Sequence, residues 1–435
     1  MNTERGESSA VTLAWAASGG VLGGLLGGGV VVALTQLLKT LLAAVSNRPT
    51  WVLIAVPVIG LALSMLVLYG FGGAEAQQSK RWRAFPRGVT RSDITSDVVL
   101  TAGHEEDFPW WLMPIRTLAI LATVGLGAAM GTEAPAAYVG VAVGTWASAR
   151  SAWRRLLRSS AIAGGASGVA ALMGIPLMGT AFMLELGWRN RAPISAPRVV
   201  ASLIGGFIGW GISYSLHLRF IRLVVPQVGP GSFHEALLAA IFVGALAGTV
   251  TALTGTAIYK AKTWHAPPLV RLILGSAGLA LTAFVIARVA NPASAIGPGT
   301  SAIRWAEQAD ALPLTLLAVS LLRAAATISA AAAGGCGGVF VPFMSIGDIA
   351  GRVFAPGFGI QGDLAGAAGA AAGISGGYRL PLTAIAMVLG VGGPRLATFT
   401  CLATVAVASA AAWSVGYALD HIGARPYVPR RLEEP

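Results

Sequence analysis

The 435 residues are 55% hydrophobic and only 11% charged, with a mean hydropathy of +0.71. A water-soluble domain carries about a quarter charged residues, so that class is excluded. The net charge of +12 does not signal nucleic acid either. The basic residues gather in short clusters beside apolar runs (Lys80, Arg81, Arg83, Arg87 and Arg91, then Arg150, Arg154, Arg155 and Arg158), which is the pattern of cytoplasmic loops flanking membrane spans.

In chain order, Met1 to Ala10 is polar and mildly acidic, unlike the basic start of a cleaved signal peptide. The stretch from Ser8 to Leu38 then holds no Asp, Glu, Lys, Arg or His, and the same is true of 51–74, 159–184, 236–259, 324–347 and 396–419. Each is long enough for the roughly 20 apolar residues that cross a bilayer. Shorter apolar runs at 117–132, 134–149, 272–287, 311–322, 364–378 and 380–394 suit tilted or partial spans. Beyond Tyr417 a short polar tail is expected, with no room for a further soluble domain. Cys336 and Cys401 both lie in apolar stretches, so neither a disulfide framework nor a zinc cluster is expected, and no cofactor is implied.

Glycine recurs in a pattern. Gly131-Thr-Glu-Ala-Pro135 is followed by Gly140 and Gly144, and Gly338-Val-Phe-Val-Pro342 by Gly347 and Gly351. Pro176-Leu177 follows the first motif proline by 41 residues, and Pro381-Leu382 follows the second by 39. Two motifs at matched spacing define an internal repeat. The expected units are a polar tail over 1–10, membrane repeats over 11–222 and 223–420, and a C-terminal tail over 421–435. Repeats of this kind place broken helices near the bilayer midplane with their termini aimed at the substrate. Glycine permits a tight backbone, and proline fits the first turn of a helix. The N–H groups exposed at such a start bind anions.

Glu133 is the most informative residue. An acid in mid-span costs about 2.5–3.5 kcal/mol on insertion scales, and a helix N-terminus offsets part of that. A carboxylate in an anion site can stand in for the anion and leave when protonated. Glu185, at the end of its apolar run, reads as a solvated helix end. His104, His234, His265 and His421 lie in polar or loop contexts, His217 lies near a span end, and no two have metal-ligand spacing. Gly165-Ala-Ser167-Gly168 and Gly373-Ile-Ser375-Gly376 match a short intramembrane serine-protease pattern. Their occurrence at the same place in both repeats points instead to helix packing, and no mid-span histidine could serve as base.

These motifs resemble the CLC family of chloride channels and transporters. Gly131-Thr132-Glu133-Ala134-Pro135 is similar to that family's G-R-E-G-P motif, and Gly337-Gly338-Val339-Phe340-Val341-Pro342 to its G-G-x-F-x-P motif. Trp110-Trp111, Pro114, Pro176, Pro381 and Arg425-Pro426-Tyr427 also have counterparts, so the resemblance covers roughly 110–430. It implies an all-α polytopic membrane protein of two inverted-topology repeats with tilted and broken helices, a multi-pass protein of the cell membrane and not an enzyme. It further implies transport of chloride or another small anion, with Glu133 as gate and Gly338, Val339, Phe340, Thr132, Ala134 and Tyr427 around the anion. Protons are a further candidate substrate, the lipid bilayer is the surroundings, and a homodimer is the expected assembly. The chain departs from the family in three places. No G-S-G-I-P segment lies between Gly72 and Asp107, where Phe85-Pro86 is the nearest candidate. Thr132 and Ala134 replace arginine and glycine. The family's internal proton-relay glutamate falls on Leu186. The expectation is therefore channel-like or weakly proton-coupled anion transport. Fluoride handling, full proton-coupled antiport and a scaffold without transport are the alternatives.

Overall fold

Sixteen α-helices and a few short 3₁₀ and π turns make up the computed structural model, which describes residues 9–70, 92–149, 151–218, 232–392 and 398–423. The first eight are α1 (Ser9–Ser46), α2 (Thr50–Gly70), α3 (Ile94–Leu100), α4 (Met113–Ile120), α5 (Glu133–Ser148), α6 (Leu157–Met173), α7 (Pro176–Arg189) and α8 (Ala196–Ser215). The second eight are α9 (Phe233–Thr263), α10 (Pro268–Val289), α11 (Thr300–Gln308), α12 (Pro313–Ala332), α13 (Phe340–Arg352), α14 (Gly362–Tyr378), α15 (Pro381–Gly392) and α16 (Phe399–His421). Among the described residues, eight helices are long and apolar enough to cross a membrane: α1, α2, α6 with its preceding turn, α8, α9, α10, α12 and α16. At 1.5 Å per residue α1 is about 57 Å long, so it must tilt to fit a hydrocarbon core of about 30 Å. This is the all-α, multi-pass architecture expected from the sequence.

Charge-free runs and helices do not coincide everywhere. The run 159–184 is two helices, because Gly174 takes a left-handed conformation (φ 71°) at the end of α6 and Pro176 starts α7. Likewise 324–347 divides into α12 and α13 around Gly334 (φ 86°). Hydropathy finds the apolar stretch, but glycine and proline decide where the backbone turns within it.

The two sets of eight pack alike. Helix α1 lies against α5, α6 and α8, as α9 lies against α13, α14 and α16. The motif glycines make these contacts possible. A Cβ on Gly140 would sit 2.2 Å from the Gly164 carbonyl oxygen of α6, and one on Gly347 would sit 2.2 Å from the Gly369 oxygen of α14. Small residues that let backbones approach are the usual device for joining helices in lipid, where apolar burial supplies little drive. Outward-facing Leu66, Leu269, Leu314 and Phe399 are all more than 60% exposed, as expected of side chains that face acyl chains. The serine-protease pattern is packing, as expected. The Ser167 hydroxyl donates to the Gly24 oxygen of α1 at 2.7 Å, and Ser375 pairs with Ser409 of α16.

Two buried arginines recur with the repeat, each fifteen residues before its motif glycine. Arg116 of α4 forms an ion pair with Asp97 of α3 and donates to the Tyr138 hydroxyl at 3.1 Å. Arg323 of α12 instead donates to backbone oxygens, the closest being Gly297 at 2.7 Å. Nearby, Lys262 at the end of α9 pairs with Asp93 at 3.2 Å.

Candidate functional site

The two Gly-x3-Pro turns meet. Gly131 and Gly338 exchange backbone hydrogen bonds, Gly131 N–H to the Gly338 oxygen at 2.7 Å and the reverse at 2.8 Å, in an isolated antiparallel bridge. Helix α5 begins two residues after Gly131 and α13 two residues after Gly338. The positive ends of two helices, of 16 and 13 residues, are thereby held side by side in the buried centre. Each terminus leaves N–H groups without an intrahelical partner and carries about half a positive charge. The arrangement attracts an anion.

Glu133, the first residue of α5, is fully buried. Its Oε1 accepts from the Thr132 hydroxyl at 3.1 Å. Its Oε2 accepts from the Val341 N–H of α13 at 3.4 Å. The carboxylate of the first half thus rests on the helix start of the second. Gly131 makes room for it, since a Cβ there would lie 2.6 Å from Oε2.

The sequence-predicted residues fall as follows. Thr132 holds Glu133. Ala134 faces Gly338, whose added Cβ would lie 3.0 Å from both the nitrogen and the Cβ of Ala134. Val339 and Phe340 form the cap and first residue of α13 and are fully buried. Tyr427 and the Phe85-Pro86 segment lie outside the described residues. Two residues were missed. Val341, next to the Val339 and Phe340 expected around the anion, supplies the amide that meets Glu133. Tyr378, the last residue of α14, places its hydroxyl 3.4 Å from the Val339 nitrogen and accepts a hydrogen bond from that N–H. The Tyr378 ring packs on Phe340 and Phe343, with centroids 5.6 and 5.5 Å away. A lone tyrosine in a Gly/Ala run three residues before Pro381 was the available signal.

Glu185 corrects its sequence reading. It is 6% exposed, and its carboxylate accepts from the Leu382 N–H (3.0 Å), the Thr383 N–H (2.8 Å) and the Thr383 hydroxyl (2.6 Å). It caps α15 from across the two halves, because the unsatisfied N–H groups of that helix start attract an acid. Leu186 is buried beside it. No group of three or more metal-ligating side chains occurs among the described residues.

The chain is 24% identical over 407 residues to the H(+)/Cl(-) exchange transporter ClcA of Yersinia pestis bv. Antiqua (strain Angola), covering 88% of this chain and 81% of that one. It is 23% identical over 300 residues to the H(+)/Cl(-) exchange transporter ClcA of Salmonella typhi, covering 64% of this chain and 61% of that one. Among solved structures, a CLC-type fluoride/proton antiporter aligns with a TM-score of 0.75 at 21% identity, over 94% of this chain and 97% of that one. A slow cyanobacterial Cl-/H+ antiporter aligns at 0.67 and 21%, over 96% of each chain. The model of the voltage gated chloride channel family matches residues 82–413. With paired Gly-x3-Pro helix starts at its centre and that match over most of its length, the chain belongs to the voltage-gated chloride channel family, whose members transport anions.

Proposed function

We propose that this chain carries chloride across the membrane in exchange for protons, with the Glu133 carboxylate as its gate. The observation that carries the proposal is the contact of Glu133 Oε2 with the Val341 N–H, in a buried position where α5 and α13 begin together. An ionised carboxylate there is a tethered anion satisfying donors that a diffusing anion would also use. Protonation removes its charge and its claim on the amide, and chloride takes the place. The amides of Phe340 and Val341 would hold the ion, beside those of Gly338 and Val339, which already donate to the Gly131 oxygen and the Tyr378 hydroxyl. Thr132 and Ala134 would border it, and hydroxyls of Tyr378 and Tyr427 would complete the shell.

Leu186, in place of the family's internal acid, favours channel-like or weakly coupled transport. Exchange is preferred here because the curated relatives are named as H(+)/Cl(-) exchange transporters and because a different acid shares the surroundings of Leu186. A homodimer with one pathway per subunit belongs to the same proposal. It would appear as a particle of twice the 44.2 kDa chain mass in light scattering. The deciding experiment is flux from liposomes holding the purified protein. A chloride gradient should drive protons uphill, with bromide accepted and fluoride a poor substitute. Fast chloride flux without proton movement would mean a channel, preferential fluoride flux a fluoride carrier, and no flux a scaffold.

A further inference from the structure

Leu186 of α7 borders a cavity of about 10 Å³, just enough for one water molecule. The other walls come from Val98 and Thr101 of the α3 segment, Val141 of α5, Ile162 of α6 and Arg198 of α8, and from Glu105. Glu105 is 4% exposed. Its Oε1 accepts from the Arg198 guanidinium at 2.6 Å and from the Gly103 N–H at 3.0 Å. Its Oε2 is buried with no hydrogen-bond partner among the described residues. A buried oxygen left unsatisfied is costly, and a water in this cavity or a proton on the oxygen would relieve that cost.

On its other side this arrangement meets a larger open cavity of 490 Å³ lined by Gly103, Arg155, Arg158, Ile162, Ser195 and Arg198. Ile162 and Arg198 belong to both cavities, and Gly103 is the residue that bonds Glu105. The arginines place the open cavity on the cytoplasmic side. Glu105 thus lines the cavity beside Leu186, while its two partners, Gly103 and Arg198, line the open one.

We infer that Glu105 is the internal proton station of this chain, doing from the loop before α4 what an acid at Leu186 would do from α7. The inference rests on the proton-exchange reading above. In the step itself, an O–H bond of a hydronium ion or protonated buffer in the open cavity breaks and an O–H bond forms at Glu105 Oε2. The proton then passes to water beside Leu186, and nothing is oxidised or reduced. The charged groups facing Glu105 are few. Arg198 comes from α8, and His104, Glu106 and Asp107 share its own segment. Arg158 of α6 is held by Glu106 at 3.0 Å, and Arg155 faces the open cavity. The walls from α5 and α7, with Val141, Met183 and Leu186, carry no charge.

The test uses full-length protein in liposomes, following chloride efflux and chloride-driven proton uptake together. Glu105→Gln keeps an oxygen for Arg198 and Gly103 but cannot relay a proton. Chloride efflux should persist while proton uptake falls at least tenfold. Glu105→Asp should keep proton uptake within about threefold of wild type, and Glu105→Gln combined with Leu186→Glu should recover it. Glu105→Asn substitutes for Glu105→Gln if the latter does not purify as monodisperse protein. Wild-type protein that moves protons alongside a Glu105→Gln variant that moves them equally well overturns this inference alone. Loss of proton uptake in Glu105→Asp as complete as in Glu105→Gln, with chloride efflux intact, would reduce Glu105 to a structural ion pair. Wild-type protein that moves chloride without protons overturns both this inference and the exchange reading.

Discussion

Substituting Tyr378 by phenylalanine isolates one hydroxyl at the anion site. The ring contacts with Phe340 and Phe343 are kept, and the hydroxyl oxygen 3.4 Å from the Val339 amide is removed. A hydrogen bond to a charged partner contributes about 1.5–3 kcal/mol net. At 1.4 kcal/mol per decade, chloride affinity should weaken by roughly one to two decades. The variant should keep the melting temperature of the wild type to within a few degrees, because the packing is unchanged. Isothermal titration of chloride into detergent-purified wild type, expected to bind in the millimolar range, and into the variant measures the difference, with bromide as a second ligand. Equal chloride affinities in the two proteins would refute the idea that Tyr378 supplies an anion ligand. The site would then rest on backbone amides alone.

Gly338→Val should abolish anion flux while leaving folded protein, because even a Cβ would come within 3.0 Å of Ala134; radioactive chloride uptake reads it. Asp97→Asn leaves Arg116 buried without its carboxylate, a change that costs on the order of 3–5 kcal/mol and should lower the thermal unfolding temperature in detergent markedly. Glu185→Ala removes three hydrogen bonds from the start of α15 and should destabilise by about 2 kcal/mol or more, again read by thermal unfolding. Glu185→Gln, which retains an acceptor, should recover part of that loss. Gly347→Leu should be worse than either, since its Cβ alone would come 2.2 Å from a carbonyl of α14.

Much of this was legible in the sequence. The matched Gly-x3-Pro turns marked both helix starts that converge, and an acid in the first of them marked the residue placed at the centre. The glycines at 140, 144, 347 and 351 were legible as a pattern, but only the packing shows that they serve the α5–α6 and α13–α14 contacts rather than the anion. Other features depend on contacts between residues far apart in the chain. Glu185 looks like a helix end by hydropathy, and nothing local says that α15 will present its N-terminus 197 residues later. Tyr378 meets Val339 across 39 residues, and Glu105 meets Arg198 across 93. Spacing rules reach along one helix, whereas these partners are chosen by how α7, α8, α13 and α14 fold back on one another.

The central claim is that Glu133 is the gate, and the pH dependence of anion flux tests it most directly. As pH falls the carboxylate takes up a proton, loses its charge and gives up the Val341 amide, so flux through wild-type protein in liposomes should rise. Glu133→Gln mimics the protonated state at every pH, so its flux should match the low-pH wild-type rate and stay nearly flat across the same range. An active Glu133→Gln variant whose flux still climbs with acid as steeply as the wild type would contradict the account.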